Sequence, residues 1–238
     1  MKRPDYLNSE SKEPMARSIP VEEYRSSGGQ VTTDAQKVLR STYALLAMTL
    51  VFSAVMAGVS MAVNAPPLGL LALVIAIGLM LAINATRNSV MGIVLTFVFT
   101  GFMGFNLGPL LNMVAGMSGG GATIALALGG TGTTFLVMSA FGMSTDRDLS
   151  GWRKPLFTGF IVAFIGGVVG QLFNIPALSL AISAIIIPLS AALISYETNN
   201  IVRGGQTNYI VATVTLYVAI YNIFANLLIL LGVFGSDD

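Results

Sequence analysis

The chain has 238 residues, 54% of them hydrophobic and only 10% charged, with a net charge of +1 and a mean hydropathy of +0.78. A soluble domain carries about 25% charged residues, so this composition is that of a membrane body. No Cys and no His occur, which excludes disulfides, thiolate nucleophiles, Cys/His zinc sites, His-ligated haem and imidazole proton relays.

The charges are unevenly placed. Residues 1–40 hold 13 of the 23, and the remaining 198 hold ten. Residues 1–32 mix Lys, Arg, Glu, Pro, Ser and Gly with few aromatics. Such a composition offers too little apolar area to offset the entropy of ordering, and it predicts a disordered tail. It does not read as a cleavable signal peptide, because the first apolar run follows forty polar residues and is preceded directly by Lys37 and Arg40. Thr33 and Asp34 offer capping side chains, so a helix is expected to start there and run into the membrane.

Seven apolar runs follow, at about 41–63, 68–83, 90–114, 122–143, 156–174, 177–196 and 208–233. None has an interior Lys, Arg, Asp or Glu, and most approach the ~20 residues that span a bilayer. The expected fold is therefore all-α, a polytopic bundle of seven transmembrane helices. The second run is the shortest. Pro109 and Pro188 lie inside runs three and six, where each removes a backbone donor and is expected to kink or break its helix.

The loops give an orientation. Lys and Arg number seven in the tail, one in 84–89, three in 144–155 and one in 197–207. The loops at 64–67, 115–121 and 174–176 have none, and the C-terminal end carries only Asp237 and Asp238. A twelve-to-zero split between alternate loops predicts a cytoplasmic N-terminus and a C-terminus on the opposite side. Trp152, Tyr43, Tyr196 and Tyr209 fall near the inferred cytoplasmic interface and read as interfacial anchors.

Lipid gives no hydrophobic drive for helix association, so close approach through small residues matters. Ala54 and Gly58, Ala72 and Ala76, Gly104 and Gly108, and Gly166 and Gly170 are each spaced by four and read as packing faces. Gly129, Gly130 and Gly132 are denser than packing needs and allow a local distortion or a close approach. Asn208, Thr215, Asn222 and Asn226 are spaced seven, seven and four along run seven, which keeps them near one face. Asn in hydrocarbon is costly unless it meets protein or water, so the last helix is expected to be central. The stripe reads either as structural hydrogen bonding or as the lining of a polar cavity.

Several chemistries fall away. A Ser–His intramembrane hydrolase needs His. An aspartyl protease needs two membrane carboxylates, and no run contains Asp. A retinal protein needs Lys in its last helix, but Lys occurs only at positions 2, 12, 37 and 154. No Gly-rich phosphate loop with a following Lys is present. The chain reads as non-enzymatic and without a cofactor or a nucleic-acid partner. The ionisable residue at a membrane boundary is Glu197, at the end of run six. It reads either as a helix-end carboxylate that reaches water or pairs with Arg203, or as a proton- or cation-responsive gate.

Four stretches carry a family likeness: 129–139 (GGTGTTFLVMS), 145–149 (TDRDL), 196–210 (YETNNIVRGGQTNYI) and 216–224 (LYVAIYNIF). They resemble the Bax inhibitor family of seven-span proteins, and the likeness runs from about Thr33 to the end. Its motif positions include Gly129, Gly130, Gly132, Asp146, Arg147, Tyr209 and Tyr217. The resemblance implies a last helix wrapped by the other six, within a bacterial inner membrane. It also implies one of two activities. One branch binds and restrains a membrane-anchored AAA protease, FtsH, which engages the polar N-terminal tail. Other members are pH-sensitive calcium leak channels built on two Asp of the last two helices. Glu197 stands at the first of these positions and Ala219 at the second, and a proton-sharing pair cannot form from one carboxylate.

Overall fold

The computed structural model describes residues 33–234, and the expectation of a disordered tail over 1–32 lies outside them. Seven α-helices follow in order: α1 Thr33–Ala62, α2 Leu70–Thr86, α3 Val90–Ala115, α4 Gly120–Ser144, α5 Arg153–Leu172, α6 Pro176–Val202 and α7 Tyr209–Phe234. A 3-10 turn, Ser150–Trp152, leads into α5. Six of these helices are long and apolar enough to cross a membrane, and α2 is a shorter apolar helix. At 17 residues, α2 is ~25 Å long against a hydrocarbon core of ~30 Å.

The helix ends follow local chemistry. Asn64 and Asn174, each at φ 49°, close α1 and α5 in the left-handed region. The amide that follows each Asn then bonds back into the last turn: Ala65 N to Ser60 O at 3.1 Å, and Ile175 N to Gly170 O at 2.9 Å. Asn tolerates this conformation better than other residues with a Cβ. Gly204, at φ 75°, does the same for α6. The helices α3 and α6 run unbroken through Pro109 and Pro188, so the expected break does not occur. Pro109 is half-buried and Pro188 is exposed, and a membrane helix tolerates the lost donor by local adjustment of its own turns.

The outer surface is apolar. Val51, Leu81, Leu136, Phe157 and Phe173 are each between 66% and 72% exposed, a surface that suits lipid and not water. The interior is organised on α7, where no residue from Tyr209 to Gly232 is exposed. Ile210, Leu216, Tyr217, Ala219 and Ile223 join Leu45, Leu46, Ile83, Phe99 and Ile194 in the principal core. A second core surrounds Leu228 with Ala57, Leu107, Leu111 and Val114. The last helix is thus central, as its polar stripe predicts. Its main neighbours are α1, α3, α4 and α6, whereas α2 packs chiefly on α3, and α5 on α6. The wrapping by all six helices is therefore narrowed to four.

Close approach is visible where small residues predict it. A Cβ on Gly104 would lie 2.1 Å from the Ser53 carbonyl oxygen, and one on Gly108 2.2 Å from the Ser60 hydroxyl. These contacts seat α3 on α1. On α5, a Cβ at Gly166 would meet Ile182 at 2.6 Å and one at Gly170 would meet Ser179 at 3.2 Å. Ala54 and Gly58 differ. They are exposed, and nothing lies within 4 Å of a Cβ on Gly58.

Candidate functional site

The loops at one end of the bundle are tied by side-chain amides. Asn199, in the last turns of α6 and 2% exposed, accepts the Leu149 amide at 3.1 Å on its Oδ1. Its Nδ2 donates to the Gly142 carbonyl at 3.1 Å and to the Arg147 carbonyl at 3.3 Å. Arg203 donates to the Asp146 carbonyl. Asp146 and Arg147 are exposed and are held through their main-chain carbonyls. Asn208 caps α7, its Oδ1 accepting the Ile210 and Val211 amides, each at 3.1 Å. Its Nδ2 reaches Arg87 O and Asn88 Oδ1, each at 2.9 Å. The segments carrying Arg87, Arg147 and Arg203 are thereby gathered at one end. At the other end Asn112 donates to the Met61 carbonyl at 3.0 Å and to Asn64 Oδ1 at 3.3 Å.

Below the Asn199 clasp, hydroxyls join three helices. Tyr43 of α1 bonds to Ser139 of α4, and both lie 3.4 Å from Thr198 Oγ1 of α6. Ser195 donates to the Met138 carbonyl at 2.8 Å. Gly142 is required here, since a Cβ would lie 2.5 Å from the Ser195 carbonyl oxygen. Tyr43 is accordingly no simple interfacial anchor. It is half-buried, with its ring edge-on to Phe135 at 5.9 Å. Trp152, 40% exposed, retains the surface position expected of it.

Tyr217 builds a second network at the centre. Its hydroxyl donates to the Thr100 carbonyl at 3.1 Å. Its one hydrogen being thus used, the Ser53 hydroxyl at 2.6 Å is the donor to Tyr217. Phe99 packs edge-on to the Tyr217 ring at 5.9 Å. Thr213 of α7 donates to the Thr42 carbonyl of α1 at 3.2 Å and to its own helix at Tyr209 O, 2.7 Å away.

The polar stripe behaves differently. Thr215, Asn222 and Asn226 are half-buried. Thr215 donates to Val211 O at 3.0 Å, and Asn226 to Asn222 O at 2.7 Å, both within α7. Of the four stripe residues, Asn208 is the one whose side chain ties α7 to another segment. The glycine cluster is also dispersed. A Cβ on Gly130 would meet Leu227 of α7 at 3.3 Å, whereas one on Gly129 or Gly132 would have nothing within 4 Å. The helix α4 runs through all three without a break.

Glu197 does not lie at a helix end. It sits inside α6, which continues to Val202, and it is 4% exposed. Its expected partner is absent: the only ion pair among the described residues is Asp34–Lys37, at 3.7 Å. Burial of the acid and the engagement of Arg203 with the loop at Asp146 explain this. Oε1 of Glu197 has no hydrogen-bond partner. Glu197 is one of the residues lining a cleft of 490 Å³, with Arg153, Asn200, Gln206 and Thr215, although Oε1 itself is fully buried. Among the described residues no three His, Cys, Asp or Glu side chains are grouped as a metal site. In the adjoining loop Asp148 accepts from the Ser150 amide at 2.8 Å and the Ser150 hydroxyl at 3.0 Å. These bonds, the amide foremost, hold its carboxyl below the usual carboxylate range.

Sequence reasoning did not single out Asn199, Ser139 or Thr198. Each lies in a stretch that carries the family likeness, which is the signal that points to them. An apolar-surfaced, seven-helix bundle with a central last helix and inter-helix polar clasps defines a multi-pass membrane protein. The chain belongs to the family described as inhibitor of apoptosis-promoting Bax1, whose model matches residues 35–236. It is 49% identical over 205 residues to the Modulator of FtsH protease YccA of Escherichia coli K12, covering 85% of this chain and 92% of that one. It is 44% identical over 202 residues to a protein of Pseudomonas aeruginosa, covering 84% and 91% of the two chains. A membrane protein of Vibrio cholerae is 40% identical over 216 residues, covering 90% and 97%.

Proposed function

We propose that this protein is a non-enzymatic regulator of the membrane-anchored AAA protease FtsH, acting from within the bacterial inner membrane. The observation that carries this reading is the 49% identity, over most of both chains, to a protein named as a modulator of that protease. The physical account has two parts. The charged N-terminal segment, with seven of the twelve Lys and Arg residues, serves as a handle on the cytoplasmic side. The bundle resists extraction, because pulling a helix out breaks clasps such as Asn199–Leu149 and Tyr217–Thr100 and exposes polar groups to lipid. The protein thus occupies the protease without being rapidly destroyed. The excess of basic residues in the 84–89, 144–155 and 197–207 segments supports a cytoplasmic N-terminus and a periplasmic C-terminus.

Co-purification with FtsH in detergent tests the partner, and the cellular lifetime of a chain lacking residues 1–30 tests the handle. Recovery of FtsH and a longer lifetime for the shortened chain are expected. Equal turnover of the two chains contradicts the handle.

A second reading, a calcium or proton leak centred on Glu197, draws on a buried acid placed in the lining of a cleft. The position of the second family carboxylate is Ala219, which is 0% exposed. Liposome calcium flux separates the readings: flux that Glu197→Gln abolishes supports a leak, and flux unchanged by it refutes one at this site.

A further inference from the structure

Helices α1 and α4 meet at Tyr43 and Ser139 and part farther along. A groove of 540 Å³ opens between them there. Ala54 and Gly58 line one wall, Leu128 and Gly132 the other, and Ile220, Tyr221 and Phe224 of α7 form the floor. All four wall residues are exposed on the apolar outer surface, so the mouth opens sideways into hydrocarbon. A Cβ on Gly58 or on Gly132 would have nothing within 4 Å.

The lining leaves no polar group in want of a partner. Ser53 donates to Tyr217 at 2.6 Å, Thr131 donates to the Ala127 carbonyl at 2.7 Å, and Tyr221 is hydrogen-bonded to Asn106. No charged side chain lines the groove. An apolar cavity of this kind does not hold water, and left empty its walls forfeit their dispersion contacts.

Size decides among apolar occupants. From Leu50 to Met61, both in the lining, α1 advances ~16 Å at ~1.5 Å per residue. A helix of that length, ~10–12 Å across with its side chains, takes up roughly 1,300 Å³ or more, over twice the volume of the groove. A helix of a partner or of a second copy therefore cannot lie within it. Residues 1–32, rich in Lys, Arg and Glu, have the wrong chemistry. A single flexible hydrocarbon chain matches both the volume and the lining.

We infer that this groove binds one acyl chain of a membrane lipid. Met61, Leu111 and Ile124 line its outer end, close to the helix ends remote from the basic loops. The chain enters from the leaflet on that side and runs inward over α7, from Phe224 towards Tyr217. The loops there, 64–67 and 115–121, carry no charged residue, so the chain and not the headgroup is recognised.

The test is photolabelling of the full chain in palmitoyl-oleoyl phosphatidylcholine vesicles doped with a phosphatidylcholine that bears a diazirine midway along one chain, followed by peptide mapping. Label is expected on the floor between Ile220 and Phe224, beside the label that outer residues such as Leu81 and Phe157 take from bulk lipid. Gly58→Leu combined with Gly132→Leu fills the groove and should abolish the floor label. Retention of label at Leu81 and Phe157 in that variant shows that the bundle is intact. Leu128→benzoylphenylalanine should form adducts of lipid mass on irradiation. An unlabelled floor in the unaltered protein overturns the inference, whatever the variant does. So does floor label that survives filling of the groove, or cross-linking from position 128 to a second polypeptide in place of lipid.

Discussion

Asn199 and Leu149 are joined across a loop: the buried amide oxygen of one accepts the main-chain N–H of the other at 3.1 Å. The same Asn199 side chain donates to Gly142 and Arg147 carbonyls, so one residue fixes the end of α4 and the loop that follows it. Asn199→Ala leaves these three groups short of partners, and an unsatisfied buried group costs about 1–3 kcal/mol. A lower thermal midpoint in detergent is expected, with earlier proteolysis in the 144–150 loop. A midpoint equal to that of the unaltered protein would sink the clasp.

Glycines separate into those that hold the bundle and those that face away from it. Gly104→Ala and Gly142→Ala drive a methyl into backbone of a neighbouring helix, at 2.1 and 2.5 Å. Overpacking of this kind costs about 1–3 kcal/mol. Gly132→Ala, with open space at its Cβ, should be neutral or slightly stabilising, because Ala is the better helix former. Thermal midpoints of the three variants check the division, and a large loss for Gly132→Ala would contradict it.

Tyr217→Phe keeps the ring that packs on Phe99 and deletes only the hydroxyl between Ser53 and Thr100. Hydrogen bonds between membrane helices are worth ~0.6–2 kcal/mol, and a loss of about that size is expected in denaturant unfolding. Pairing the substitution with Ser53→Ala should cost less than the sum of the two single changes, since both break one network. Strict additivity would show that the network is not coupled.

Asp148 provides a pH prediction. Its carboxyl titrates below the usual range because it accepts from Ser150. A depressed carboxyl contributes stability above its unfolded pKa and loses it as pH falls through the folded one. The loop should therefore loosen only in acid below the ordinary Asp range. Ser150→Ala removes the hydroxyl bond but not the amide bond, so it should raise the Asp148 midpoint part-way in a carboxyl NMR titration. An unshifted midpoint would contradict a role for the hydroxyl.

Much of this fold is legible in the sequence because lipid imposes simple rules. Seven apolar runs without internal charge became seven helices, and the basic segments at Arg87, Arg147 and Arg203 converged at one end. Small residues spaced by four at Gly104 and Gly108 marked a real seam. Individual contacts were less legible. Asn222 and Asn226 announce a polar helix, yet Asn226 turns back on its own backbone, an option open to a short polar side chain one turn from a helical carbonyl. Glu197 sits where an apolar run ends, and composition alone puts the helix end there too. The helix instead continues to Val202, because Thr198 and Asn199 are buried against α4 and its following loop. Partner choice among polar side chains depends on tertiary register, which apolar periodicity does not encode.

The central claim is that this bundle restrains a membrane AAA protease. It is tested most directly by reconstituting FtsH in liposomes with a membrane substrate and measuring substrate degradation while this protein is added. A progressive slowing, saturating near equal amounts and with this chain itself degraded more slowly than the substrate, is the result expected. A degradation rate independent of its presence, with the protein fully incorporated, would contradict the claim.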